Sequence, residues 1–266
     1  MSVLAEILAA KRDEVTLLHQ PQTRDAIHAA ALAALPPRDF TGALRRGDRL
    51  AVVAELKRRS PSMGELAPTL DASRTAAAYA AGGAAALSVL TDQVFFGGTV
   101  EDLQRARAAA PSTPALRKDF VIDADQVYET RAIGADAILL IVAAVPDRGL
   151  LGELLQLAND LGVAALVETH DATELDVALA LGAAIVGVNA RDLGTFDEDL
   201  AGAEGLATRV PPDVVAVAES AIRGPDDAKR MAAAGYDAIL VGEALVRAPD
   251  PRPLVRQLAE LPRRSR

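Results

Sequence analysis

Five apolar runs in this chain each end on charged or amide side chains. The polar residues at these ends are Glu55, Lys57, Lys118, Glu168, Asn189 and Glu219. Taken singly they have ordinary explanations, because a glutamate at a strand end is usually solvated or ion-paired and Asn189 suits a turn. Taken together, three carboxylates and two ammonium groups would shift one another's pKa values in opposite directions if they met. The sequence therefore predicts acid–base chemistry by lysine and glutamate.

The apolar runs themselves indicate how these side chains are brought together. They are continuous rather than alternating, which is typical of strands buried on both faces in a parallel sheet. Four related glycine phrases, at Gly83, Gly134, Gly182 and Gly235, recur about every 50 residues, the length of two βα units. Each follows an alanine-rich helical stretch, where a helix end needs a left-handed residue. The chain is therefore predicted to alternate strands and helices.

This alternation predicts an α/β fold, a (βα)8 TIM barrel with an N-terminal helical extension. The expected strands span 51–56, 85–90, 114–118, 137–142, 163–168, 184–189, 214–218 and 238–242. We expect residues 1–266 to form a single barrel domain, in which the extension 1–50 covers one end of the barrel. An open doubly wound sheet is the alternative, but no Gly-x-Gly-x-x-Gly follows the first strand. In a barrel, the polar strand ends would share the mouth where chemistry takes place.

The composition excludes several kinds of site. With no cysteine and three histidines among 266 residues, thiol catalysis and disulfides are excluded, and we expect no metal site. His170 is interpreted as a loop residue. The net charge of −9 argues against nucleic-acid binding, although a small anion can still bind in a local pocket.

The apolar runs also indicate where in the cell the protein is located. The start of the chain lacks the apolar stretch of a signal peptide, and no run approaches the length of a membrane span. We therefore expect a cytoplasmic protein without a membrane partner. As to assembly, we expect a monomer or a weak homodimer.

Two segments near the C-terminus are typical of a phosphate site. Ser220 to Asp226 follows the seventh expected strand, and Gly242 to Leu245 follows the eighth. Barrels often bind a phosphate at these two loops through backbone N–H groups. Gly242 has a second explanation, since a glycine there would also allow tight packing.

Eight segments form a further pattern along the chain. They are Ala54–Ser62, Leu87–Asp92, Phe95–Gly98, Leu116–Phe120, Val167–Glu168, Gly187–Leu193, Ala218–Ser220 and Val241–Leu245. In content and order they resemble the indole-3-glycerol phosphate synthase family of tryptophan biosynthesis. The Lys57-x-x-Ser60-Pro-Ser and Arg117-Lys118-Asp-Phe segments are specific to it, and the resemblance covers roughly residues 3–250.

The resemblance implies a (βα)8 barrel that needs neither a metal nor an organic cofactor. It implies a lyase that acts on 1-(2-carboxyphenylamino)-1-deoxyribulose 5-phosphate. Ring closure onto the ketone, decarboxylation and dehydration would yield indole-3-glycerol phosphate, CO2 and water.

The resemblance also implies functions for individual residues. By motif position, Lys118 resembles the general acid of ring closure, and Glu168 resembles the acid–base partner of the dehydration. Lys57 would bind the anionic substrate, and which lysine is the acid in each step stays open. The residues expected to orient the lysines and the substrate hydroxyls are Glu55, Asn189 and Glu219. The residues expected to bind substrate are Ser60, Phe96, Phe120, Arg191, Ser220, Ala221, Gly242 and Glu243. The two phenylalanines would pack against the anthranilate ring.

Two residues depart from the family's pattern. Ala221 stands where the family commonly has glycine, and Glu243 stands where some relatives have serine. A positive φ would strain an alanine, so we expect Ala221 to have a negative φ in a loop that has adapted to it. A carboxylate repels a phosphate, so we expect Glu243 to turn outward and to offer only its backbone N–H.

Two other functions stay open at the level of sequence. One is another phosphosugar barrel enzyme, such as an isomerase of the neighbouring histidine or tryptophan steps, although these lack the Lys-x-x-Ser-Pro-Ser loop. The other is a non-catalytic barrel that binds a phosphorylated ligand, although Lys57, Lys118 and Glu168 are all present.

Overall fold

Eight parallel strands close into a barrel. The computed structural model describes residues 2–192, 194, 196–264 and 266, so Leu193, which ends one family-like segment, lies outside the described residues. The strands are β1 Ala51–Leu56, β2 Ala86–Leu90, β3 Ala115–Lys118, β4 Ala137–Ile141, β5 Ala164–Thr169, β6 Ile185–Asn189, β7 Val215–Glu219 and β8 Ala238–Val241. Each pairs with its neighbours in sequence order, and β1 pairs with β8 to close the ring. The barrel prediction is therefore confirmed over the open sheet.

Helices connect the strands on the outside of the barrel. They are α1 Val3–Leu18, α2 Pro21–Ala33, α3 Phe40–Leu44, α4 Ala72–Gly82, α5 Val100–Ala109, α6 Ala124–Ala132, α7 Arg148–Asp160, α8 Ala172–Ala180, α9 Leu200–Ala207, α10 Pro225–Ala234, α11 Glu243–Val246 and α12 Pro251–Ala259. Gly83 and Gly235 cap α4 and α10 in the left-handed conformation, with φ of 95° and 105°. The glycine phrases therefore end helices, as the sequence predicted.

Strand register sets which polar ends face one another. Asn189 is the partner of Glu219 across β6 and β7, and Glu168 is the partner of Gly187 across β5 and β6. On the other side of the barrel, Glu55 pairs with Ser88. The carboxyl ends of the strands thus carry their polar side chains at a common level above an aliphatic core.

The N-terminal extension reaches both ends of the barrel. Val3, Leu4 and Ile7 of α1 line the cavity at the carboxyl ends of the strands. At the opposite end, Arg45 and Arg46 next to α3 donate to backbone carbonyls just before β7 and β2. The expectation that the extension covers one end is therefore incomplete, because its helices are separated by turns that let the chain run along the side of the barrel against α6.

The basic C-terminal segment packs back onto the barrel. Arg263 and Arg266 lie 3.2 Å and 2.5 Å from the carboxylate of Asp237, which precedes β8. That carboxylate also accepts the backbone N–H of Ala216 in β7. These two ion pairs anchor the segment. Within the described part of the chain, no helix combines the length and apolar character that a membrane crossing requires.

Candidate active site

A cavity of about 780 Å³ opens at the carboxyl ends of the strands. Its lining includes all six polar strand-end residues: Glu55, Lys57, Lys118, Glu168, Asn189 and Glu219. It also includes every residue expected to bind substrate: Ser60, Phe96, Phe120, Arg191, Ser220, Ala221, Gly242 and Glu243. The structure therefore brings the whole sequence-derived set to one place.

Lys118 stands at the centre of the polar set. Its Nζ donates to Glu168 Oε2 over 2.6 Å and to Glu219 Oε2 over 3.0 Å. Burial disfavours the charged ammonium, but the attraction of the two carboxylates outweighs burial and holds the pKa of Lys118 above its ordinary value. Lys118 is therefore a cation at neutral pH.

The two glutamates that contact Lys118 differ in their ionisation. Burial favours the neutral form of both. For Glu168, Lys118 and then His170 overcome burial, and the pKa lies well below the ordinary range. For Glu219, burial and the negative charge of Glu168 prevail over Lys118 and raise the pKa to about 7. The expected shift of pKa values in opposite directions is thus present in this pair.

Two glycines make room for the carboxylates. Lys57 Nζ lies 3.0 Å from Glu55 Oε1, and a Cβ on Gly242 would stand 2.5 Å from that same oxygen. A Cβ on Gly187 would stand 2.1 Å from Glu219 Oε1. Tight packing is therefore one reason for glycine at position 242, alongside any contact with a phosphate.

Two phenylalanines form an apolar wall above the polar set. The ring centroids of Phe96 and Phe120 are 6.1 Å apart, and the rings are inclined by 35°. Asp92 Oδ1 accepts the backbone N–H of Phe96 over 3.1 Å, and Asp119 Oδ1 accepts that of Phe120 over 2.8 Å. Each ring is thus carried by a loop that an aspartate fixes.

The residue that joins these two loops was not predicted from the sequence. Lys11 of α1 is 1% exposed, and its Nζ lies 2.9 Å from Asp92 Oδ2 and 2.9 Å from Asp119 Oδ1. The signal was a lysine on the apolar stripe of α1, together with Ile7 and Val15. A lysine at such a position needs a buried acidic partner.

His170 was also missed as part of the site. It lies in the bend after β5, as expected of a loop residue, but its ring is between two glutamates. Nδ1 is 3.0 Å from Glu174 Oε2, and Nε2 is 3.4 Å from Glu168 Oε1. Burial alone would lower the pKa of His170, yet the two carboxylates raise it to about 10. The glutamate four residues after the histidine was the available signal.

The expectation of a negative φ at Ala221 is wrong. Ser220 and Ala221 have φ of 65° and 56°, in the left-handed region. Five residues separate the end of β7 at Glu219 from the start of α10, and Ile222 among them is 6% exposed. The chain must therefore turn tightly to return Ile222 to the core, and the turn takes left-handed geometry without a glycine.

The remaining loop residues close the rim of the cavity. Glu243 is paired with Arg247, which lies 3.0 Å away and also lines the cavity, so the outward orientation of Glu243 stays a prediction. Arg191 donates to Ser62 Oγ over 2.5 Å and to Glu198 Oε1 over 2.5 Å, joining the loops after β1 and β6. Ser60 Oγ accepts the backbone N–H of Met63 within the loop after β1.

One group of side chains could ligate a metal outside the mouth. Among the described residues, His19, Asp123 and Asp125 place ligand atoms within 4.8 Å of one another. None of the three lines the mouth cavity. Arg24 lies 3.2 Å from Asp125 Oδ2, so an arginine already partners this carboxylate.

The chain is similar to one family over almost its whole length. The family model described as indole-3-glycerol phosphate synthase matches residues 4–258. A protein of that name from Aromatoleum aromaticum is 47% identical over 260 residues, which are 96% of this chain and 98% of that protein. Its namesake from Nocardioides sp. is 49% identical over 97% of this chain and 98% of its own.

Solved structures with low sequence identity share the fold. A 3-hexulose-6-phosphate synthase from Salmonella typhimurium matches with a TM-score of 0.61 at 16% identity, covering 79% of this chain and 97% of that chain. A thiamine phosphate pyrophosphorylase from Pyrococcus furiosus matches with a TM-score of 0.59 at 17% identity, covering 83% and 96%. These similarities concern the barrel alone.

Proposed function

Because the chain belongs to the indole-3-glycerol phosphate synthase family, we propose that the residues at its barrel mouth carry out that family's reaction. The chain is a carboxy-lyase of tryptophan biosynthesis. It converts 1-(2-carboxyphenylamino)-1-deoxyribulose 5-phosphate to indole-3-glycerol phosphate, CO2 and water. Three charged side chains of the mouth, Lys118, Glu168 and Lys57, divide the proton transfers of this conversion between them.

Lys118 is the general acid of ring closure. The ring carbon that bears the carboxylate attacks the ketone carbon, and negative charge develops on the ketone oxygen. An ammonium group directed at that oxygen stabilises the charge and transfers a proton to it. The raised pKa keeps Lys118 protonated, and the transfer stays favourable because an alkoxide is far more basic than an amine. Loss of CO2 then restores the aromatic ring.

Glu168 is the base of the dehydration. Its lowered pKa keeps it ionised at neutral pH, so it can accept the proton that leaves the substrate as the indole forms. Asn189 Nδ2 donates to Glu168 Oε1 over 3.0 Å and fixes the carboxylate. Lys57, paired with Glu55, binds the anionic substrate and donates to the departing hydroxyl.

The substrate lies between an apolar wall and a rim of backbone N–H groups. Phe96 and Phe120 hold the anthranilate ring, and Arg191 and Ser60 contact its polar groups. The phosphate binds at the rim of β7 and β8, where Ser220, Ala221, Gly242 and Glu243 line the cavity. These assignments are supported by position in the cavity and by chemical type.

One observation carries the proposal most directly: Lys118 contacts both Glu168 and Glu219 inside the cavity. The location and assembly of the chain extend the same proposal. We propose that residues 1–266 act as a single domain in the cytoplasm, as a monomer or a weak homodimer that binds no nucleic acid, consistent with the net charge of −9.

A turnover assay tests this function against the alternatives. The purified chain is mixed with the substrate, and indole fluorescence is followed together with CO2 release. We expect one CO2 for each indole formed. A chain that binds the substrate without forming indole would be a non-catalytic binder, and formation of an isomer of the substrate would indicate a phosphosugar isomerase.

A further inference from the structure

Two glutamates compete for the same ammonium group at the centre of the site. Lys118 Nζ lies 2.6 Å from Glu168 and 3.0 Å from Glu219, and each carboxylate side chain is 2% exposed. Two buried carboxylates that share one cation do not both ionise readily, because their negative charges repel. One of them therefore keeps a proton near neutral pH, and the surroundings decide which one.

The surroundings of the two glutamates are unequal. Glu168 Oε1 accepts the amide of Asn189 over 3.0 Å and has His170 Nε2 at 3.4 Å. The corresponding oxygen of Glu219, Oε1, is buried, and the described residues give it no hydrogen-bond donor. These contacts therefore stabilise the ionised form of Glu168 but not that of Glu219.

The His170 ring is held in place by Glu174 in the first turn of α8. Glu174 Oε2 accepts the His170 backbone N–H over 2.8 Å and contacts Nδ1 over 3.0 Å. This double contact directs the opposite edge of the ring, which carries Nε2, towards Glu168. With a carboxylate at each nitrogen, the pKa of His170 rises to about 10, so the ring is a cation at neutral pH.

The number of charges around the two glutamates also indicates that one carboxylate is protonated. Lys118 and His170 supply two positive charges. The three carboxylates in contact with them are Glu168, Glu174 and Glu219. Nearby, Glu55 is paired with Lys57. The group is neutral when one of the three carboxylates holds a proton, and Glu219 has the fewest partners.

We propose that His170, fixed by Glu174, is a positioning residue that places the negative charge on Glu168 and leaves the proton on Glu219. His170 does not line the cavity, so it acts through Glu168 and not on the substrate. In this arrangement Glu168 is ready to accept a proton, while the neutral Glu219 can donate a hydrogen bond to a substrate oxygen. This part of the inference rests on the proposed function of Glu168 as the base.

A substitution that removes only the charge tests the inference. His170→Gln keeps a neutral N–H donor near the position of Nε2. We expect part of the proton to move from Glu219 to Glu168, because Glu168 loses a cation. The kcat of the variant should then show an acid limb near about pH 7, where the kcat of the wild type stays level. KM should change little. His170→Lys, which returns a cation to this position, should restore the wild-type profile.

His28→Gln is the matched control. His28 stacks on Tyr128 and contacts Asp125 on α6, away from the cavity lining. Its profile should equal that of the wild type. If the profile of His170→Gln also equals that of the wild type, His170 does not set the charge of Glu168 and the inference is overturned.

Infrared spectroscopy of the buried carboxyl groups tests the same point without turnover. At about pH 6 the wild type should show a protonated carboxyl band that disappears in Glu219→Gln. A band that persists in Glu219→Gln would overturn the inference. If Glu168→Gln retains full kcat, the proposed function of Glu168 fails, and the infrared result still decides where the proton lies.

Discussion

Lys11 in the first helix and Asp119, which follows Lys118 in sequence, are joined by a buried ion pair of 2.9 Å. The same ammonium contacts Asp92 at 2.9 Å. Replacing it in Lys11→Met would leave the buried Asp92 without this cation and Asp119 with Arg117 alone, which destabilises the fold by about 3–5 kcal/mol. The loops that carry Phe96 and Phe120 should also loosen, so we expect KM to rise by more than kcat falls. Urea unfolding and steady-state kinetics measure the two effects.

Glu14→Gln is the control for this change. Glu14 also contacts Lys11, at 2.8 Å, but it lies on the same helix and is half exposed. Losing it leaves both loop aspartates paired, so stability and KM should stay near the wild-type values. A Lys11→Met variant that folds with an unchanged KM would show that Lys11 has no part in holding the aromatic wall.

The left-handed conformation of Ala221 leads to a prediction about stability. An alanine at a φ of 56° is strained in the folded chain, so we expect the strain to be released on unfolding and to cancel between the free and the phosphate-bound states. Ala221→Gly should therefore raise the free energy of unfolding by about 1 kcal/mol and leave kcat and the dissociation constant of inorganic phosphate unchanged. A urea titration with phosphate binding by calorimetry would check this. Tighter phosphate binding without added stability would mean that the loop changes conformation when the anion binds.

The raised pKa of Glu219 makes stability depend on pH. A glutamate has an ordinary pKa of 4.5, whereas Glu219 in the folded chain has a pKa of about 7. Between these values the folded state binds a proton that the unfolded state has lost, so the free energy of unfolding falls as the pH rises. Glu168 acts in the other direction and only at lower pH, because its pKa lies below the ordinary value.

Glu219→Gln removes this dependence because glutamine does not ionise. We expect the free energy of unfolding of the variant, minus that of the wild type, to be larger at about pH 8 than at about pH 5. Urea unfolding of both proteins at the two pH values gives the difference. An equal difference at both values would show that Glu219 titrates near its ordinary pKa.

Removal of divalent metal should leave the activity intact. The carboxylates at the mouth are occupied by ammonium groups, with Lys57 beside Glu55 and Lys118 beside Glu168 and Glu219. A divalent cation at these oxygens would have to displace a lysine. We expect kcat after exhaustive treatment with EDTA to equal the untreated value. Activity that falls and is restored by Mg²⁺ or Zn²⁺ would contradict a lysine-based reaction.

Strand positions and the shared mouth were predictable from sequence. Continuous apolar runs end at Glu55, Lys118 and Glu168, and the observed strands differ from the expected ones by no more than one residue at either end. A parallel barrel places all such ends at one rim, so the meeting of these residues follows from topology. The local pattern of each run was sufficient for this part of the structure.

Contacts that depend on distant segments were not predictable in the same way. Lys11 shares the helical spacing of the apolar residues of α1, but its partners Asp92 and Asp119 lie on loops about 80 and 110 residues away, which no local pattern indicates. The φ of Ala221 is imposed by the tight return to α10 against the preference of alanine. The ionisation of Glu219 depends on distances of a few ångströms that no sequence pattern encodes.

The proposed mechanism depends above all on Lys118, which contacts Glu168 and Glu219 and protonates the ketone oxygen during ring closure. This role is tested by measuring the kcat of Lys118→Ala through indole fluorescence. Lys229→Ala, which changes an exposed lysine, is the control. We expect kcat to fall by about 10²–10⁴ with a smaller change in substrate binding, while the control keeps the wild-type rate. A wild-type kcat in Lys118→Ala would contradict the role of Lys118 as the general acid.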